Sequence, residues 1–95
     1  MAARAEAVLL LHGLWMNRLA MLYLALALEE AGFATESLNY HSMRGTLPEH
    51  VVALADRVAG TAAETVHLVA HSLGGIVALD YLQRVRDSRI GRVVL

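Results

Sequence analysis

Cysteine is absent from this chain of 95 residues, which excludes disulfides and thiolate metal sites and leaves the redox compartment open. Lysine is absent as well, and every basic side chain is an arginine. We read that as codon bias rather than as a binding feature. No surplus of charge exists either: the formal net charge is −1, so nothing argues electrostatically for nucleic acid or an acidic membrane surface as partner. Long apolar runs are missing too. Ala7–Leu11 is too short for the hydrophobic stretch of a signal peptide, and His12-Gly13 interrupts it. Leu19–Leu28 is about half of what spans a bilayer. No targeting or membrane-spanning segment is expected, and the expected location is cytoplasmic. Repeats, low-complexity stretches and linkers are lacking, so the chain has room for one domain at most.

What is abundant is apolar surface: 57% of the residues are hydrophobic and the mean hydropathy is +0.48. Strands covered on both faces read as continuous apolar runs, so an α/β domain accounts for this richness. Ala7–Leu11 reads as such a strand. Asn17 is placed to cap a helix from Arg18 to about Ala31. Leu19, Leu22 and Leu26 recur at helical spacing as its core face, widened by Met21, Tyr23 and Leu28. Gly32 is a natural stop, with Phe33 able to pack back on the last turn. Ala34–Asn39 reads as a second strand and Tyr40–Gly45 as a loop. Thr46-Leu47-Pro48-Glu49 has the form of a capping box, with proline tolerated in the first turn. Leu47, Val51, Leu54 and Val58 mark one face of the helix that follows, with Gly60 as its stop. Val66–Ala70 is a third strand, a helix runs on to about Arg86, and Ile90–Leu95 begins a fourth strand. Strands alternating with helices of this length predict a parallel sheet with right-handed crossovers. Ligands bind such sheets at the carboxyl ends of the strands, where the strand order reverses.

The stretch that carries chemistry is Val66-His67-Leu68-Val69-Ala70-His71-Ser72-Leu73-Gly74-Gly75. A strand runs into Ser72 and a helix leaves it, which predicts a sharp, strained turn with the serine hydroxyl exposed at a strand end. Strand and helix backbones nearly touch at such a turn, so small residues are needed two before and two after the serine. Ala70 and Gly74 meet that need, Ala70 departing by one methyl group from the more usual glycine. The competing reading is a serine N-cap on an ordinary helix.

Val8-Leu9-Leu10-Leu11-His12-Gly13-Leu14-Trp15, followed by Val69-Ala70-His71-Ser72-Leu73-Gly74-Gly75, resembles the lipase/esterase branch of the α/β-hydrolase family, among whose bacterial lipases the A-H-S-x-G form occurs. The resemblance implies a partial α/β-hydrolase fold, a three-layer α/β/α arrangement with a parallel sheet and flanking helices. It also implies that the first strand lies between the second and third, which sets the His12-Gly13 turn beside Ser72. Ser72 is then the expected nucleophile of a serine hydrolase acting on carboxylic esters through an acyl-enzyme. The amide of Leu73 is expected as one oxyanion donor from the geometry of the turn, and that of Leu14 as the other by resemblance. His12, Gly13, Ala70, His71, Gly74 and Gly75 are supporting residues. No cofactor and no metal are implied, and the partner is a small-molecule or lipid acyl ester.

The base for Ser72 is not evident. His71 follows the strand alternation to the side opposite the serine. His67 is mid-strand, His50 begins a helix, His12 is expected to brace the oxyanion turn, and His41 lies at a strand end one strand removed. In the resembling family the acid and the histidine both follow the serine. Here only Asp80 and Asp87 follow it, both expected as solvated helix charges. The expectation is therefore a single incomplete domain over residues 1–95, the N-terminal part of a longer hydrolase truncated in its fourth strand and inactive alone. Trp15, Met16 and Met43 flank the site as an acyl-binding wall or as ordinary core; Ser42 and Arg44 are loop residues beside it. Rival readings are an acyltransferase, thioesterase or amidase using the same turn, and a non-catalytic binding protein of the same fold.

Overall fold

A computed structural model of the chain describes residues 6–12, 18–39 and 45–95. The elements are β1 (Glu6–His12), α1 (Arg18–Glu30), β2 (Ala34–Asn39), α2 (Leu47–Gly60), β3 (Thr65–Ala70), α3 (Leu73–Arg84) and β4 (Ile90–Val94). The strands form one parallel sheet in the order β2-β1-β3-β4. The α/β class, the alternation of elements and the central place of β1 agree with the sequence reading. The chain steps from β1 to β2 in one direction, then back across β1 to β3 and on to β4. The order therefore reverses between β1 and β3.

Two local signals act as expected. Gly32 sits at φ 106. Its amide donates to the Glu29 carbonyl and that of Phe33 to the Leu28 carbonyl, both at 3.0 Å, the paired bonds that close a helix on a left-handed glycine. At the start of α2 the Thr46 hydroxyl accepts from the Glu49 amide at 3.3 Å. The Glu49 carboxylate in turn accepts from the Thr46 amide at 3.2 Å, completing the capping box.

The core lies mainly on one side of the sheet. Leu9 and Leu11 of β1 and Val66, Leu68 and Ala70 of β3 pack with Val51, Leu54 and Val58 of α2 and Val77, Ala78 and Tyr81 of α3. Period-two alternation sends Val8 and Leu10 to the other side, where Met21 is buried with them and Leu24, Ala25 and Leu28 of α1 lean on the cluster.

Three expectations need correction. The face of α1 turned to the sheet is Met21-Leu24-Ala25-Leu28, so Met21 and Leu28 lie on it as expected, whereas Leu19, Leu22, Tyr23 and Leu26 are exposed. The helix is apolar all round, so spacing alone fits either stripe. Gly60 does not end α2 with a left-handed turn. The cap is Thr61 in an extended conformation, its amide donating to the Val58 carbonyl and its hydroxyl to the Arg57 carbonyl at 2.8 Å. Finally, Asp87 is not a solvated helix charge. It is partly buried beyond the end of α3 and accepts from the Arg89 amide at 2.9 Å and from its guanidinium.

Arg89 is a tie that the sequence did not reveal. Its guanidinium donates to the carbonyls of Val58 at 2.7 Å, Thr61 at 2.8 Å and Ala63 at 3.3 Å. A cation thus gathers carbonyls at and just beyond the C-terminus of α2, where the helix dipole favours positive charge. The hydrogen bonds from Arg89 hold the Asp87 carboxyl below the usual carboxylate range. Burial pushes the nearby Tyr81 phenol up, and the Asp87 charge adds to that.

Candidate active site

Ala70, the last residue of β3, pairs with Leu11 of β1 and is buried. Beyond it the His71 amide donates to the Leu11 carbonyl at 2.9 Å, extending the ladder by one bond. Ser72 then adopts φ 58 and ψ −127. Among the described residues it is the one non-glycine with positive φ. An L-residue held there stores about 1–3 kcal/mol of strain, which the surrounding structure must over-determine.

The over-determination is visible at Gly74. An added Cβ would lie 2.5 Å from the Leu11 carbonyl oxygen and 2.7 Å from its carbon. The first turn of α3 is therefore pressed onto the backbone of β1, and only a glycine permits it. The Gly74 and Gly75 amides donate to the carbonyls of His71 and Ser72 at 3.0 and 2.9 Å. These bonds turn the chain tightly from strand to helix. Gly75 differs from its neighbour, since open space surrounds the position of its missing Cβ.

Ser72 occupies the N-cap position of α3, yet its side chain makes no capping hydrogen bond. The N-cap reading therefore fails: the hydroxyl neither caps the helix nor hydrogen-bonds any other group among the described residues, and the residue is exposed. The Leu73 amide, at the first position of the helix, has no acceptor among the described residues. The site thus presents an exposed hydroxyl and an adjacent unpaired donor at the carboxyl end of β3, beside β1, where strand order reverses. Such a pairing suits attack on a carbonyl whose oxygen gathers charge next to a backbone N–H.

The remaining candidates divide as follows. Ala70, His71, Gly74 and Leu73 are brought together around Ser72, with Gly75 next in the helix. His71 is exposed and makes no side-chain hydrogen bond to the serine. His12 ends β1 opposite Asn39. Gly13, Leu14, Trp15, Met16 and Asn17, and Tyr40, His41, Ser42, Met43 and Arg44, lie outside the described residues. His50 is on the first turn of α2 and His67 on β3, away from the turn. Asp80 corrects its expectation as a solvated charge. Its side chain is only 15% exposed and Oδ1 accepts from Arg84 Nε at 2.9 Å. Oδ2 is buried with no partner among the described residues.

No cluster of side chains suited to a metal ion occurs among the described residues, and no helix there is long and apolar enough to cross a membrane. Comparison with curated proteins gives no match. The model of the alpha/beta hydrolase family matches residues 8–95, from within β1 through the Ser72 turn and past the end of β4, and the chain belongs to that family.

Proposed function

We propose that this chain carries the nucleophile of a lipase- or esterase-like serine hydrolase acting on carboxylic esters. In this reading the Ser72 Oγ attacks the ester carbonyl, its proton leaves with the alcohol, and water later releases the acid from the acyl-serine. The Leu73 amide receives the developing oxyanion, joined by Leu14. The observation that supports this best is the strained, exposed and uncapped Ser72 at the turn from β3 into α3. A serine serving only the fold would cap the helix or relax out of positive φ.

All five histidines precede Ser72, and the reading assigns none of them as its base. With no base, acylation and deacylation are both slow, so the 95-residue chain should take up acetyl from an activated ester only slowly and show no turnover. The chain is incubated with p-nitrophenyl acetate and its peptides are analysed by mass spectrometry. Acetyl should accumulate on Ser72 well ahead of the exposed Ser88, and Ser72→Ala should remove that preference. Equal labelling of the two serines would refute the assignment. Steady-state turnover should stay close to that of Ser72→Ala.

A further inference from the structure

The imidazole of His67 sits where three segments meet, on the α1 side of the sheet. β3 and β4 are paired at Val66–Ile90 and at Leu68–Val93, with a register shift between. Two residues of β4, Gly91 and Arg92, thus oppose the single residue His67, which is a β-bulge. The ring fills the space that a side chain on Gly91 would need: an added Cβ would lie 2.7 Å from both Cε1 and Nδ1. The bulge turns the Arg92 amide onto the ring, where it donates to Nδ1 at 2.9 Å. On β1, the other neighbour of β3, the Glu6 carboxylate lies 2.7 Å from Nε2. Phe33 meets the ring edge-on at a centroid distance of 5.9 Å.

These contacts fix the proton. A backbone N–H can only donate, so Nδ1 must be the bare, accepting nitrogen, and Nε2 carries the hydrogen that Glu6 accepts. A second proton has one place to go, Nδ1, and there it would face the Arg92 N–H donor to donor. Glu6 would keep its partner and Arg92 would lose its own. The ring borders a groove of about 200 Å³ in which Val8, Leu28, Phe33 and Val94 are apolar and Glu6 and Arg92 are the charged groups. Glu6 favours the imidazolium, whereas the Arg92 guanidinium and amide oppose it.

We propose that His67 is a protonation-sensitive latch: as the neutral Nε2–H tautomer it holds the β4 bulge to β3 and β1, and as the imidazolium it releases the Arg92 amide and loosens β4. Histidine is the side chain whose unperturbed charge changes between about pH 5 and 8. The lost bond is single, so loosening is confined to the bulge and the residues after it.

The test is nitrogen-15 NMR of the intact chain between pH 8 and 5. Ring correlations at pH 8 should show hydrogen on Nε2 and none on Nδ1. As the ring takes up its second proton, the protection factor of the Arg92 amide should fall roughly tenfold, the scale of one lost hydrogen bond. The β1–β3 ladder amides should hold theirs. Glu6→Gln should move the transition to lower pH, because the carboxylate that favours the cation is gone. His67→Asn offers an acceptor near the Nδ1 position without a titrating group, and should make Arg92 protection independent of pH. A hydrogen on Nδ1 at pH 8, or unchanged Arg92 protection while the ring titrates, would overturn the latch.

Discussion

On the α2/α3 side of the sheet, Leu9, Leu11, Leu54, Val58, Val66, Leu68 and Val77 are all essentially sealed from solvent, and Tyr81 closes the layer. On the α1 side, among the described residues, only Val8, Leu10 and Met21 reach comparable burial. There α1 turns Leu19, Leu22, Tyr23 and Leu26 outward. Both sides draw on the same strands, whose residues alternate between them. The side covered by two helices buries its aliphatic layer completely and also supports the Ser72 turn, because α3 is anchored there. The side covered by one helix has room for polar contacts, and the Glu6–His67–Arg92 arrangement lies on it. Stability and the candidate nucleophile are thus coupled on one face, and the His67 contacts sit on the other.

Truncating a side chain on the closed face should produce the largest effect. Leu54 is fully buried between α2 and its neighbours, and Leu54→Ala should cost about 2–5 kcal/mol, lost transfer energy plus a cavity. Met21→Ala on the open face should cost less, because a more thinly covered layer can settle into the space. Urea unfolding of both variants checks this. Equal losses would show that the two faces are equally packed.

Next comes the junction that couples the closed face to the site. Gly74→Ala drives a methyl into the Leu11 carbonyl, a backbone group that cannot swing aside. Overpacking of this kind costs about 1–3 kcal/mol, and the displaced α3 should also lower Ser72 acetylation. Gly75→Ala, one residue on, meets open space and should be neutral or slightly stabilising, since alanine suits a helix better than glycine by up to about 1 kcal/mol. Adjacent glycines in one motif thus have opposite expectations, and thermal melts with serine labelling separate them.

These contrasts show what could be read from sequence. Signals written within a few residues translated directly: the Thr46/Glu49 box, the Gly32–Phe33 stop, and the glycine two after Ser72. The α1 face did not, because Leu19–Leu22–Leu26 and Met21–Leu24–Leu28 are both apolar at helical spacing, and only docking on Val8 and Leu10 decides between them. The His67 arrangement was hidden for another reason. Glu6, His67 and Arg92 converge only once strand order and the bulge are set, and His67 alone reads as a mid-strand residue. Arg89 is similar, its acceptors lying at the end of α2. At the site, the turn was legible as local geometry, whereas the unpartnered Asp80 oxygen depends on how α3 packs.

A smaller effect is expected at Asp87. Its carboxyl is held below the usual range chiefly by hydrogen bonds from Arg89. The unfolded chain therefore takes up this proton first as pH falls. The contribution is fully present above the ordinary aspartate value of about 3.9 and is lost as pH drops through the lower folded value. Asp87→Asn should lower the urea midpoint at pH 6, and the gap to the native chain should narrow on acidification toward pH 3. A gap that stayed constant or widened would remove the Arg89–Asp87 tie from the acid response of the closed face.

The smallest effect is expected on the outer stripe of α1. Leu22 and Leu26 are both more than half exposed, so little of either side chain leaves water on folding. Replacing both with glutamine keeps helix propensity nearly unchanged and should alter stability by no more than about 0.5 kcal/mol, the range of ordinary surface substitutions. What should change is association. An exposed apolar stripe attracts other apolar surface, so Leu22→Gln with Leu26→Gln should raise the concentration at which light scattering first appears, while the urea midpoint stays put. Leu24→Gln supplies the control from the sheet-facing stripe of the same helix: it places an amide against the Val8–Leu10–Met21 cluster and should unfold the chain at clearly lower urea. If the outer pair proved as destabilising as Leu24→Gln, both stripes of α1 would be buried in solution, and the open face would be open only at the β4 edge.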